Sequence, residues 1–190
     1  DRPPSPAVIR QPLPGRFGVL DLETQLSAQE VGGWHRAWKM GVSCVVLYDS
    51  AEDDYQTYFE ADLDKLIQDL QRLDLVVGFN IKRFDFQVLR GYREFPFQGL
   101  PCLDLLQSVH TRLGYRLSLD NLAGATLGAK KSASGLLALK WWKEGRIDKI
   151  IEYCRLDVAL TRDLYLFGRD KGHVYFHNKA RKLVRVNADW

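Results

Sequence analysis

Cysteine is scarce in this sequence, and Cys44, Cys102 and Cys154 are odd in number, far apart and set in apolar runs. That spacing offers no disulfide framework and no C-x-x-C knuckle, and it reads as reduced, buried thiols in an intracellular protein. The four histidines (His35, His110, His173, His177) add no metal-ligand spacing to the cysteines, so no structural zinc is expected. No apolar run is long enough to cross a bilayer and no signal peptide is visible, so no membrane partner is expected and the expected location is cytoplasmic. Proline is nearly confined to the start, where Pro3, Pro4, Pro6, Pro12 and Pro14 are five of the seven. Residues 1–16 therefore read as an extended, proline-rich linker, and residues 17–190 as one domain. The first residue is Asp1 rather than methionine, which fits a domain cut from a longer protein.

What is present supports a real core. Hydrophobic residues make up 46% and aromatics 12%, which excludes a disordered chain. The net charge of +3 is unevenly spread. Nine acids fall between Asp49 and Asp74, whereas Lys171, Lys179, Arg181, Lys182 and Arg185 make the far end basic. Such a basic patch permits a polyanionic partner without requiring one.

The pattern of elements is mixed. "RFGVLDLET" reads as a strand, and "GVSCVVLYD" with "YQTYFE" as a hairpin around the acidic "SAEDD" loop. "ADLDKLIQDLQRL" has helical 3–4 spacing, "DLVVGFN" reads as a buried strand, and "RFDFQVLRGY" as the helix after it. "LPCLDLLQSV" fits a short strand or a helix start. Ser118 and Gly128 bracket a capped helix, and two more helices are expected at about 133–144 and 147–168. A small hairpin at about 173–188 turns near Asn178–Ala180. The fold class is therefore α/β, a mixed central sheet flanked by helices.

Several acids resist explanation as surface charge. Asp21 and Glu23 lie at i and i+2 in a strand, so both carboxylates point to one face at the end of an apolar run. Two such groups repel unless a proton or cation lies between them, and Mg²⁺ takes oxygen ligands. Asp85 falls just past the end of a buried strand, at the first turn of a helix, where open α/β sheets bind ligands. It also fits a plain helix N-terminus. Tyr153 and Asp157 share one helix face, one turn apart. Two divalent ions about 3.5–4 Å apart, held by such carboxylates, are a general solution for phosphodiester hydrolysis.

"DLET" (21–24), "NIKRFD" (80–85) and "YCRLD" (153–157), in this order, resemble the three motifs of the DnaQ-like (DEDD) 3′→5′ exonucleases of the ribonuclease H-like superfamily. The tyrosine at 153, with no histidine in the third motif, matches the subclass shared with the proofreading domains of family B DNA polymerases. "LSLDNLAGATLGAKK" is similar to the segment those domains carry between the second and third motifs. "GVSCVVLYDS", "VVGFNIKRFDFQVLRGY" and "NKARKLVRV" resemble exonuclease-like domains fused behind some bacterial DEAD/DEAH-box helicases, which implies a helicase domain upstream in the same chain.

The resemblance implies a ribonuclease H-like fold and two divalent cations, Mg²⁺ or Mn²⁺. Asp21 would bridge both, Glu23 and Asp157 would serve the ion that holds the attacking water, and Asp85 the second. Tyr153 would orient that water more than deprotonate it, since a phenol ionises near pH 10. The implied substrate is single-stranded DNA or RNA. For substrate contacts the candidates are Thr24, Asn80, Phe84, Lys130 and Lys131, and each also has an ordinary structural reading. Asp104 reads either as an auxiliary acid or as a helix cap. Two rival functions fit the same residues: a catalytically silent nucleic-acid-binding module serving an attached helicase, and a structure-specific endonuclease.

Overall fold

A computed structural model describes residues 14–129 and 134–190. Five strands form one sheet in the order β3-β2-β1-β4-β5. β1 (Phe17–Thr24) pairs antiparallel with β2 (Val42–Asp49), which pairs antiparallel with β3 (Asp54–Tyr58). On its other edge β1 pairs parallel with β4 (Leu75–Gly78), and β4 with β5 (Cys102–Asp104). This is the α/β architecture expected from the sequence, with a separate C-terminal hairpin of β6 (His173–His177) and β7 (Leu183–Asn187).

Alternation along β1 sorts its side chains between two cores. Leu20 and Leu22 join one cluster with α2 (Leu63–Leu70) and α3 (Asp85–Leu89). Phe17 and Val19 join the other, with Ile150, Cys154 and Val158 of the long helix α7 (Ile147–Lys171). Asp21 and Glu23 continue the second face beyond its apolar part, so α7 is the helix they meet.

The ambiguous segment near residue 104 is both things at once: β5 ends at Asp104, whose side chain then caps α4 (Leu105–Leu113). Ser118 caps α5 (Leu119–Leu127), and α6 (Gly135–Lys143) precedes α7. Two expected helices are shorter than their periodicity implied. α2 begins only after a 3-10 turn at Glu60–Asp62. α3 is delayed to Asp85 because Asn80 is left-handed (φ 69°) and Phe84 is non-helical.

The connection from β1 to β2, where no element was expected, holds α1 (Ala28–Val31) and a 3-10 helix at Trp34–Lys39. Ser27 and Glu30 form a reciprocal capping box there, an S-x-x-E signature already present in the sequence. The hairpin docks through side chains that imitate backbone. Asn121 of α5 accepts the His177 N–H at 2.7 Å and donates to the His177 carbonyl at 2.9 Å. Among the described residues, no helix is long and apolar enough to cross a membrane.

Candidate metal centre and groove

Three carboxylates converge at the C-terminal end of β1. Asp21 and Glu23 from β1 and Asp157 from α7 each offer an oxygen, and these oxygens all lie within 4.8 Å of one another. The spacing and the hard oxygen donors suit a divalent cation. Cys154, one turn before Val158 on α7, packs beneath them and directs its thiol to Asp21 Oδ2 at 3.5 Å and to the Asp21 carbonyl at 3.4 Å. Cys44 lies directly across the ladder from Glu23. Just past that pair the register shifts between Glu23 and Thr24, a bulge of the kind that re-aims side chains beside sites.

Tyr153 sits one turn before Asp157 on the same face of α7, where that carboxylate's charge acts on the phenol, with its ring edge-on to Trp141 at 6.3 Å. Tyr153 also borders a cleft of about 490 Å³ lined by Tyr55, Trp141 and Arg155.

Asp85 lies on the other side of the sheet, close enough for its charge to act on Asp21 but not among the three converging carboxylates. β4 stops pairing with β1 at Val19↔Val77, yet β1 continues to Thr24. The Leu22 N–H beyond that point donates to Asp85 Oδ1 at 3.2 Å. The loop that delivers Asp85 is fixed by Asp104, whose carboxylate accepts the Asn80 N–H at 2.9 Å and the Lys82 N–H at 3.2 Å. The same carboxylate accepts the Gln107 N–H at 3.1 Å, which makes it the cap of α4. Asp104 thus occupies a supporting position rather than lying among the converging oxygens.

The electrostatics are those of a site built for positive charge. Asp21 is pushed well above the usual carboxylate range, by burial first and then by Asp85, Glu23 and Asp157. Glu23 is pushed up by burial and then by Asp157. Burial raises Asp85 to about 8, with Asp104 adding to the rise and the Leu22 N–H opposing it. Burial, followed by the charges of Asp157, Glu23 and Asp21, lifts the Tyr153 phenol above its ordinary range. These acids carry their charges comfortably only with a cation between them.

A groove of about 660 Å³ opens from Asp21 and Glu23 and runs between Thr24, Phe84, Trp34 and Leu136. Thr24 is buried in its wall, with its hydroxyl donating to the Leu26 carbonyl at 3.1 Å. Asn80 lines the groove and accepts from the Arg116 guanidinium at 2.8 Å. Phe84 meets Trp34 edge-on at 5.8 Å. Lys130 and Lys131 lie outside the described residues. Trp34 was not among the residues singled out from sequence. The signal was available in "GGWHRAW", two tryptophans among cations after a glycine pair.

A family model described as the RNase_H superfamily matches residues 19–167, a span that contains every acid of the cluster. The family B DNA polymerase from the hyperthermophilic archaeon Pyrobaculum calidifontis has a similar structure, with a TM-score of 0.60 over 83% of this chain at 15% identity. That likeness is one of fold, and the match takes in 26% of the polymerase chain. No curated protein sequence matches. With a mixed sheet centred on β1 and an acidic triad at its end, the chain belongs to the RNase_H superfamily.

Proposed function

We propose that this domain is a metal-dependent 3′→5′ exonuclease of the DEDD type, tyrosine subclass, that shortens single-stranded nucleic acid. The observation that carries the reading is the convergence of Asp21, Glu23 and Asp157 within 4.8 Å, with Tyr153 one turn before Asp157 on α7. When bound, two divalent cations, Mg²⁺ or Mn²⁺, would supply a polarised water and neutralise the charge that builds on the phosphate. Asp21, Glu23 and Asp157 would hold one divalent cation, and Asp85 with Asp21 would serve a second. Tyr153 keeps its proton and donates a hydrogen bond that orients the attacking water. Phe84 packs against the terminal base, while Thr24 and Asn80 border the terminal nucleotide. Lys130 and Lys131 are assigned to phosphate contacts. A helicase domain in the same polypeptide and a cytoplasmic setting belong to the same proposal, supported by the sequence resemblance.

The test is digestion of 5′-labelled single-stranded DNA and RNA with Mg²⁺ or Mn²⁺, beside an Asp21→Ala control. A metal-dependent ladder shortening from the 3′ end, absent in the control, is the expected result. Activity that survives Asp21→Ala overturns the assignment, and cleavage of a circular strand replaces it with an endonuclease.

A further inference from the structure

The 3-10 helix at Trp34–Lys39 carries two tryptophans that face solvent. Trp34 is 71% exposed and Trp38 51%, while Ala37 is buried beneath them. A single exposed aromatic needs no explanation, but two on six residues beside a candidate site do. The preceding Gly33 has φ 126°, a conformation that suits glycine and holds the turn leading out to Trp34.

This helix and α3 form a seam with an aromatic at each end. At the near end Trp34 meets Phe84, and both line the groove that reaches Asp21. At the far end Trp38 lies over the end of α3. A Cβ on Gly91 would overlap the Trp38 carbonyl oxygen, so the two backbones are in direct contact there. Trp38 opens on a second cleft of about 630 Å³, shared with His35, Arg90, Tyr92, Arg93 and Glu94.

The cations along the seam are of two kinds. Arg93 is committed to Asp64 at 2.5 Å. Among the described residues, no salt bridge engages Arg36, Lys39 or Arg90, all of them exposed. The Lys39 ammonium lies 4.8 Å from the Trp38 ring centroid. The Arg90 guanidinium donates to the neutral Gln87 Oε1 at 3.2 Å. Aromatic faces interleaved with cations free of salt bridges are what sequence-tolerant binding of a single strand requires, because every base stacks and every nucleotide carries a phosphate.

We infer that the Trp34–Lys39 helix is a stacking ridge for single-stranded nucleic acid. A strand held by its end in the groove continues along the seam, and an upstream base stacks on Trp38 with its phosphates facing Lys39 and Arg90. The inference rests on the reading of the groove as a nucleic-acid site, and it extends that site to the far end of α3.

The experiment measures fluorescence anisotropy of labelled oligothymidylate and of a labelled dinucleotide on the 190-residue chain carrying Asp21→Asn, so that strands survive. Adding Trp38→Ala is expected to weaken the longer strand by roughly 5- to 100-fold and to leave the dinucleotide unchanged. Trp38→Phe keeps a ring and retains most of the affinity. Arg90→Gln lowers the slope of log affinity against log salt by about 1.

Equal binding of the longer strand by Trp38→Ala overturns the ridge, and would make the exposed tryptophans a protein-facing surface instead. Equal loss with Trp38→Phe, or equal weakening of the dinucleotide, overturns it as well. The two readings fail separately: strands that bind through Trp38 but are not shortened by the unsubstituted chain remove the nuclease and keep the ridge. Shortened strands with no Trp38 effect do the reverse.

Discussion

Asp85 Oδ1 accepts the Leu22 N–H at 3.2 Å in the gap where β4 has ended and β1 has not. The carboxylate accepts a strand N–H with one oxygen and acts on Asp21 with its charge, so it couples strand geometry to ionisation. Burial holds its pKa at about 8. An unfolded aspartate ionises near about 4. Between those limits the folded chain binds more protons than the unfolded one, so stability falls as pH rises. Asp21 and Glu23, both pushed up by burial and mutual repulsion, act in the same direction. The metal-free melting temperature is expected to fall between about pH 5 and about pH 8, and saturating Mg²⁺ or Mn²⁺ to flatten that fall. Thermal melts with chelator and with metal check both; a metal-free melting temperature that rises over this window contradicts the burial argument.

Asp21→Asn tests the same repulsion from the other side. The amide removes one charge from a crowded, buried group while keeping its shape. The metal-free protein is expected to gain about 1–2 kcal/mol, a rise of roughly 2–8 °C in melting temperature. Metal should then add little, whereas the unsubstituted chain should gain about 2.7 kcal/mol at a hundredfold excess over the dissociation constant. Calorimetry of both proteins with and without Mn²⁺ decides the matter, and a variant that loses stability without metal would count against a charge-strained site.

Tyr153→Phe separates orientation from proton abstraction. The phenol is held above its ordinary range by burial and by three carboxylates, so it stays protonated throughout the working pH range. The variant is expected to lose about 10²-fold in kcat through misplacement of the water, with the metal-induced rise in melting temperature intact. The pH–rate profile should keep its shape. A profile that loses its alkaline-rising limb in the variant would instead make Tyr153 the base.

The carboxylates were legible because each belongs to a local period. Asp21 and Glu23 follow the two-residue repeat of β1, and Tyr153 and Asp157 the turn of α7. Asp104 was legible as a helix cap but not as the anchor of the loop after β4, because those partners are set by register. The parallel pairing Gly78↔Asp104 brings its carboxylate beneath the loop after β4, more than twenty residues earlier in the chain. Nothing in "CLDLL" announces that. The length of α3 was likewise hidden, since its start depends on the backbone at Asn80 and its end on contact with the Trp38 carbonyl. Trp34 and Trp38 lie where no apolar period exists; "GGWHRAW" marks the segment, and their exposure in the fold shows that the rings face outward.

Asp104→Ala therefore carries a prediction that the local sequence suggests only in part, through the cap. The substitution strips acceptors from the Asn80, Lys82 and Gln107 N–H groups at once. Loss of the cap alone costs about 1 kcal/mol, and orphaned N–H groups near the buried end of β4 cost about 1–3 kcal/mol more. A total near about 3 kcal/mol lowers the melting temperature by roughly 6–12 °C. Asp104→Asn keeps one acceptor oxygen and is expected to recover part of that loss. It also removes a charge that helps raise Asp85, so the part of the metal-free stability loss that belongs to Asp85 should end below about pH 8. Urea unfolding of both variants across pH reads the two effects separately. Equal destabilisation by alanine and asparagine, with the pH window unmoved, would mean that Asp104 neither pins the loop through its oxygens nor acts on Asp85 through its charge.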